Sequence, residues 1–317
     1  MKTDAVTPAD FRAVFAVPPL ARRRDARRTI DHDQNDRIVR YVVNGGITRL
    51  LYGGNAFVYH LALGEYEELL ASLAAVAGDT WIIPAIGPSY GRAIDQAAIV
   101  RRHAFPTAML LPCNDPRDAA GLTHGIREIA DALGTPVVLY LKDDHTFGAD
   151  VIAGLDAAAA LVDAGVVCAI KYAIVRRDPL ADAYLDGLLA RVDRSVVVSG
   201  MGEKPAVVHM RDRGLPGFTT GSGCVAPALS AALLAAALAG RWTDAEGLRQ
   251  VFLPLETLRD DWGPARVLHA AVEDAGIAAT GPIPPYVSEV PASKRVAVRE
   301  AAAALALANR DAAARVT

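Results

Sequence analysis

A repeated alternation of short apolar runs and amphipathic stretches constrains the fold of this chain more than any other feature. The runs begin every ~25–35 residues, which is about one strand–helix unit each. Runs that are apolar throughout are typical of parallel strands covered on both faces. We predict eight strands, at residues 13–17, 48–52, 81–85, 108–111, 136–140, 167–171, 195–199 and 217–220.

Amphipathic stretches between these runs predict helices. They lie at residues 33–44, 64–76, 93–103, 119–133, 148–164 and 180–192. The stretch 33–44 ends at Gly45 and Gly46, a common helix stop. No GxGxxG motif follows the first strand, which argues against a dinucleotide-binding fold. Eight units favour an α/β fold of the (β/α)8 TIM-barrel type, formed by residues 1–240.

The pattern changes after residue 240, where only helical stretches follow. They lie at residues 243–259, 262–275 and 289–309, with a proline-rich turn at 281–285. We predict that residues 241–317 form a C-terminal helical extension packed on the barrel. This extension is also a candidate for a subunit contact.

Charge and composition disfavour several classes of function. The formal net charge is −3, and the dense basic cluster at residues 22–28 is typical of a solvated loop, so we expect no nucleic-acid partner. The N-terminus has no apolar signal core, and the apolar stretch 226–239 is shorter than the ~20 residues of a membrane span. Three well-separated cysteines suggest reduced thiols. We therefore expect a cytoplasmic protein that contacts no membrane.

No metal or cofactor is expected from the sequence. The seven histidines form neither HxH nor HExxH, which leaves a metal site without support. A serine hydrolase is also disfavoured because GxSxG is absent. His145 is kept as a candidate substrate-binding residue because it follows the fifth strand on the predicted active face.

Two residues at strand ends carry the sharpest chemical signal. Lys171 ends the sixth predicted strand, and lysines are scarce in this chain. Burial lowers the pKa of a lysine and makes its neutral amine a nucleophile toward carbonyl groups. Tyr140 ends the fifth predicted strand, so both side chains would meet at the carboxyl end of the barrel. A phenol in that place can relay protons.

Two glycine-containing loops are candidate binding elements. Gly53, Gly54 and Asn55 follow the second strand, where backbone N–H groups can converge on a carboxylate. Gly221 and Ser222 follow the eighth strand, where barrels can bind phosphate. A plain turn remains the alternative for both loops, and a substrate-binding wall is a further alternative for Gly221 and Ser222.

Several segments occur in the order and spacing of one enzyme family. They are Val17-Pro18-Pro19-Leu20, Gly53-Gly54-Asn55, Val138-Leu139-Tyr140, Ala169-Ile170-Lys171, Ser199-Gly200 and the segment 217–227. Together they resemble the dihydrodipicolinate synthase / N-acetylneuraminate lyase family of class I aldolases, over nearly the whole chain. The resemblance implies a TIM barrel, no cofactor, and a homodimer or homotetramer.

The resemblance also implies a reaction. Lys171 would form a Schiff base with pyruvate or a related 2-oxo acid, and Gly54 with Asn55 would hold the carboxylate. Tyr140 would shuttle protons while an aldehyde or sugar-acid substrate is joined, cleaved or dehydrated. Glu203, after the seventh strand, would hydrogen-bond substrate hydroxyls or else lie in a surface loop.

Three departures from the family pattern argue against the synthase of lysine biosynthesis. Gly54 replaces the first loop threonine of the proton relay, and Cys113-Asn114 replaces paired tyrosines, one of which a neighbouring subunit lends. His145 lies near the place of an arginine that binds the second substrate. We therefore expect another aldolase or a sugar-acid dehydratase.

Two other functions remain as alternatives to the lyase. One is a catalytically altered barrel that serves as a 2-oxo acid binding or regulatory protein. The other is a phosphate-binding isomerase that uses the loop at Gly221 and Ser222. Retention of both Lys171 and Tyr140 favours the lyase.

Overall fold

The predicted (β/α)8 barrel is confirmed. A computed structural model describes residues 2–314 and forms a closed barrel of eight parallel strands in sequential order. The first and last strands pair in parallel, with Val14 opposite Phe218, and so close the barrel. The strands are β1 Val14–Ala16, β2 Arg49–Tyr52, β3 Trp81–Ile86, β4 Met109–Leu110, β5 Val137–Leu141, β6 Val167–Tyr172, β7 Val197–Ser199 and β8 Phe218–Thr220.

All eight strands overlap the predicted runs, and local chemistry explains the shifted ends. β5 starts at Val137 because Pro136 has no N–H group to donate to a neighbouring strand. β7 starts later than predicted because residues 194–196 form a 3-10 turn. The Asp193 carboxylate accepts a hydrogen bond from the Ser195 N–H, 2.7 Å away, and fixes this turn.

Helices follow the strands and cover the barrel. They are α1 His32–Asn44, α2 Leu63–Val76, α3 Tyr90–Arg102, α4 Ala119–Leu133, α5 Val151–Asp163, α6 Ala183–Leu189, α7 Glu203–Arg213 and α8 Pro227–Leu238. α5 and α6 are shorter than predicted because aspartates cap them. Asp150 accepts from the Ala153 N–H at 2.9 Å, and Asp182 accepts from the Leu185 N–H at 3.1 Å.

Helix α7 has no counterpart among the predicted helices. Its polar residues Glu203 and His209 are buried together with Val207 and Met210. Burial of polar residues removes the contrast between an apolar and a polar face, on which recognition of a surface helix depends. Pro205 lies in the first turn, where a missing N–H costs nothing.

Three further helices follow the barrel. They are α9 Trp242–Trp262, α10 Pro264–Asp274 and α11 Ala292–Ala314, close to the three predicted stretches. Residues 315–317 of the predicted extension lie outside the described residues. Apolar side chains of α9 to α11 share one buried cluster with those of α1, α7 and α8. Among residues 2–314, no helix is both long enough and apolar enough to cross a membrane.

Candidate active site

Lys171 lines a cavity formed where the strands end. It occupies the penultimate position of β6, is only 6% exposed, and borders a cavity of about 110 Å³. No carboxylate within residues 2–314 forms an ion pair with it. Burial, together with the positive charges of Arg259 and Lys142, lowers the pKa of Lys171 to about 7. Near neutral pH a large fraction of this amine is therefore unprotonated.

Tyr140 lies beside Lys171 on the neighbouring strand. The two residues are paired in the β5–β6 register, and the Lys171 Nζ lies 4.3 Å from the centroid of the Tyr140 ring. Burial raises the pKa of Tyr140 to about 12, with a smaller contribution from Tyr59. The phenol therefore keeps its proton at neutral pH and is able to give it to a nearby oxygen.

The loop after β2 forms a second wall of the cavity. Gly54, Asn55 and Ala56 make a single 3-10 turn, whose first N–H groups have no acceptor within the turn. The Asn55 side chain donates to the Val17 carbonyl oxygen at 2.7 Å, which ties the loop to the end of β1. The space beside the Gly54 α-carbon is empty to 4 Å. An anion in the cavity would thus meet backbone N–H groups that have no acceptor within the turn.

The third wall comes from the loops after β7 and β8 and from helix α9. Gly202 and Gly221 line the cavity together with Glu256 and Arg259. The Arg259 Nη1 donates to the Glu256 carboxylate at 2.6 Å, and both residues are buried. This wall is therefore polar and charged, although most of the barrel interior is apolar.

The predicted site residues divide into two groups. Lys171, Tyr140, Gly54, Asn55 and Gly221 line the cavity around Lys171. The structure places Gly53, Ser222, Glu203 and His145 outside that lining.

Each residue of the second group has a different environment. Glu203 is fully buried in the first turn of α7, where it accepts a hydrogen bond from the Ser230 hydroxyl, so it does not lie in a surface loop. The buried Ser222 hydroxyl donates to Glu256. His145 is exposed, and its carbonyl oxygen accepts from Arg117 at 2.9 Å. The α-carbon of Gly53 faces Met109 and Leu51.

Glu256 and Arg259 are functional candidates that the sequence interpretation missed. They belong to α9, for which the sequence predicts only a helix of the C-terminal extension. A usable signal was present, because these charges lie at i and i+3 on the same helix face as the apolar residues Phe252 and Leu255. Charged residues on an apolar face are buried only when they are paired.

A larger cavity lies beside the one at Lys171. It has a volume of about 550 Å³ and a mostly apolar lining from β4, α4 and the loops that follow β4 and β5. Tyr140 borders both cavities, whereas Lys171 borders only the smaller. In residues 2–314 no three His, Cys, Asp or Glu side chains lie close enough together to hold a metal ion.

Comparison with known proteins agrees with this architecture. The sequence profile described as "Dihydrodipicolinate synthetase family" matches residues 16–304. Among solved structures, dihydrodipicolinate synthase from Oceanobacillus iheyensis is 24% identical, with a TM-score of 0.80 over 93% of this chain and 96% of that one. PhdJ bound to a substrate intermediate is 23% identical, with a TM-score of 0.80 over 97% and 99% of the two chains.

A third solved structure with the same fold is named for a different activity. The catalytic lysine mutant of sialic acid aldolase from Ruminococcus gnavus is 13% identical, with a TM-score of 0.79 over 96% and 98% of the two chains. At these identities the likenesses show the fold. No curated protein has a significant sequence match. Because the family profile covers most of its length, the chain belongs to the dihydrodipicolinate synthetase family.

Proposed function

We propose that the protein is a lyase that forms a Schiff base between Lys171 and pyruvate or a related 2-oxo acid. The observation that carries the proposal is a buried lysine without a carboxylate partner among the described residues, placed at the end of a barrel strand in a cavity. A lysine with a pKa near 7 is a nucleophile at neutral pH. Membership of the synthetase family supports the lyase assignment.

Imine formation requires a nucleophile and a proton donor. The lone pair of the Lys171 Nζ attacks the ketone carbon, and one amine proton moves to the ketone oxygen to give a carbinolamine. Tyr140 then gives its proton to that hydroxyl, which leaves as water, and a protonated imine and a phenolate remain. The position of the Tyr140 ring against the Lys171 Nζ, 4.3 Å from its centroid, supports this role.

The protonated imine then withdraws electrons from the substrate chain. In aldol cleavage, the bond between C3 and C4 breaks, its electron pair moves toward the imine nitrogen to give an enamine, and an aldehyde leaves. The C4 hydroxyl proton returns to the Tyr140 phenolate, which restores the phenol. In a dehydratase, the Tyr140 phenolate would instead take a proton from C3 to give the enamine. The phenol would then give this proton to the C4 hydroxyl, which leaves as water as the enamine electrons form the C3–C4 double bond. Both reactions use the same two residues.

The carboxylate of the 2-oxo acid would bind at Gly54 and Asn55. The free N–H groups of their turn and the empty space beside Gly54 support this placement. Gly54 offers no hydroxyl to a proton relay, and Cys113 and Asn114 offer no phenol. We therefore favour an aldehyde or sugar-acid second substrate other than that of lysine biosynthesis, and a homo-oligomer, either homodimer or homotetramer.

Borohydride reduction of the imine tests this function. The protein is incubated with pyruvate and sodium borohydride, and the adduct is located by peptide mass spectrometry. We expect a pyruvate-derived mass increase on Lys171 in the wild type and in Lys142→Met, but none in Lys171→Met. Lys142 is a suitable control because it is an exposed lysine that follows the strand of Tyr140. If pyruvate and longer 2-oxo acids all leave Lys171 unmodified, the alternative of a 2-oxo acid binding or regulatory protein replaces the lyase.

A further inference from the structure

Arg259 lines the cavity of Lys171, and one nitrogen of its guanidinium group, Nη2, has no hydrogen-bond acceptor among the described residues. The residue is 7% exposed and lines that cavity from helix α9. Its Nη1 donates to Glu256 at 2.6 Å, and its Nε contacts the Pro264 carbonyl oxygen at 3.4 Å. Its Nη2 donates to no acceptor within residues 2–314. A buried guanidinium with an unused N–H group is a strong donor to an anion.

The loops after β7 and β8 leave room for this charged pair. A Cβ on Gly221 would overlap the Nη2 of Arg259, and a Cβ on Gly202 would overlap the Glu256 carboxylate. A side chain at either position would displace the guanidinium or the carboxylate from its present place. Glycine at both places therefore lets the guanidinium reach the cavity wall.

Negative groups near Arg259 are already paired or neutralised. Glu256 accepts hydrogen bonds from Arg259 and from the Ser222 hydroxyl. Asp260, which also lines the cavity, is paired with the Lys204 Nζ at 2.6 Å. Burial and the charge of Glu256 raise the pKa of Glu203, which favours the neutral form of its carboxyl group. A further negative charge therefore meets little repulsion at Arg259.

Resting on the proposed function, we infer that Arg259 binds a second carboxylate of the substrate through its Nη2. The substrate class is then a 2-oxo acid whose carbon chain carries another carboxylate beyond the ketone. The first carboxylate lies at Gly54 and Asn55 on the β2 side, and Arg259 lies on the β7–β8 side. A single nitrogen with two N–H groups suits a carboxylate, and the 110 Å³ cavity accommodates a short chain.

The concentration of 2-oxo acid that gives half-maximal borohydride trapping tests this inference. We compare 2-oxoglutarate with 5-methyl-2-oxohexanoate, which has the same shape but lacks the terminal carboxylate. The wild type should trap 2-oxoglutarate at a concentration about 10-fold or more below that for the neutral analogue, since a charge-assisted hydrogen bond contributes at least this factor.

The variant Arg259→Met/Glu256→Gln removes the guanidinium without leaving an unpaired carboxylate. Its ratio of the two half-maximal concentrations should fall to within about twofold of unity. The ratio cancels any general effect on Lys171, because both compounds react with the same amine. The matched control is Glu246→Gln/Arg249→Met, an ion pair with the same i,i+3 spacing on the same helix but away from the cavity, and it should keep the wild-type ratio.

The outcomes separate this inference from the proposed function. If the wild type forms no adduct with any 2-oxo acid, the Schiff-base function itself fails. If adducts form without preference for 2-oxoglutarate, or if the preference survives in Arg259→Met/Glu256→Gln, only the role of Arg259 is overturned. Should that double variant fail to fold by circular dichroism, Arg259→Lys replaces it. The shorter, single-nitrogen head of lysine should reduce the preference at least threefold.

Discussion

At the residue scale, Lys171 is a base whose strength is set by burial. Its pKa of about 7 predicts that the rate of adduct formation rises with pH and levels off above about 8. The sign follows because only the neutral amine attacks the ketone, and deprotonation is complete above the pKa. The rate of trapping with pyruvate and cyanoborohydride between pH 5.5 and 9.5 measures this profile. A rate that still rises at pH 9.5 would indicate an ordinary lysine.

The same burial imposes a cost on stability. An unfolded lysine has a pKa near 10.5, so at pH 7 the unfolded chain holds this proton more tightly than the folded protein does. This difference lowers the free energy of unfolding. This cost is full below pH 7 and disappears above about pH 10.5. Lys171→Met should therefore raise the free energy of unfolding at pH 7 by about 2–4 kcal/mol, while Lys142→Met changes it by less than about 0.5 kcal/mol. Urea denaturation measures both, and a destabilised Lys171→Met contradicts the argument.

At the scale of elements, the approach of helix α9 to the loop after β8 depends on Gly221. Because a Cβ there would overlap the Arg259 guanidinium, Gly221→Ala should lower the free energy of unfolding by about 1–3 kcal/mol. Gly247→Ala is the matched change on α9 itself, where the added methyl group meets open space. It should stabilise the protein by about 0.5–1 kcal/mol, because alanine favours a helix interior. Equal effects of the two substitutions would contradict this packing argument.

Elements with a regular apolar pattern were predictable from the sequence, and so were the residues at their ends. Tyr140 and Lys171 follow continuous apolar runs, so their meeting at one end of the barrel depended only on the closed parallel topology. Helix α7 was not predictable in the same way, because its buried Glu203 and His209 hide its apolar face.

The third wall of the candidate site was not predictable for a related reason. Arg259 reaches the cavity from a helix about 90 residues beyond Lys171 in the chain, and no local pattern specifies how that helix packs. Tertiary packing likewise decides which residues of the predicted glycine loops line the cavity. Gly221 lines it, whereas the adjacent Ser222 turns away toward Glu256.

At the scale of the whole molecule, two apolar clusters support the fold. One contains side chains from the barrel interior and from α2 to α6, and the other joins β1 and β8 to α1 and α7 to α11. Two histidines are buried on helices of the second group, His209 on α7 and His269 on α10. His209 shares a hydrogen bond with the Ser199 hydroxyl at 2.9 Å, and His269 packs against the Phe57 ring with centroids 5.4 Å apart. Burial lowers the pKa of each to about 4.

These neutral histidines make the stability of the molecule sensitive to acid. Well above pH 6.5 neither state binds a proton, so they contribute no pH dependence there. As pH falls from 6.5 toward 4, the unfolded chain binds protons that the folded protein excludes, and stability decreases. At pH 5 each histidine accounts for a loss of about 2 kcal/mol, from 1.5 pH units at about 1.4 kcal/mol each.

His269 offers the cleaner test of this sensitivity, because it is buried and no side chain among the described residues hydrogen-bonds to its ring nitrogens. We expect the loss of unfolding free energy between pH 7 and pH 5 to be smaller in His269→Leu than in the wild type by about 2 kcal/mol. His124→Gln, an exposed change on α4, should leave that loss unchanged. Urea denaturation at the two pH values measures the difference. If His269→Leu loses as much unfolding free energy between pH 7 and pH 5 as the wild type does, carboxylates and not this imidazole cause the loss of stability in acid.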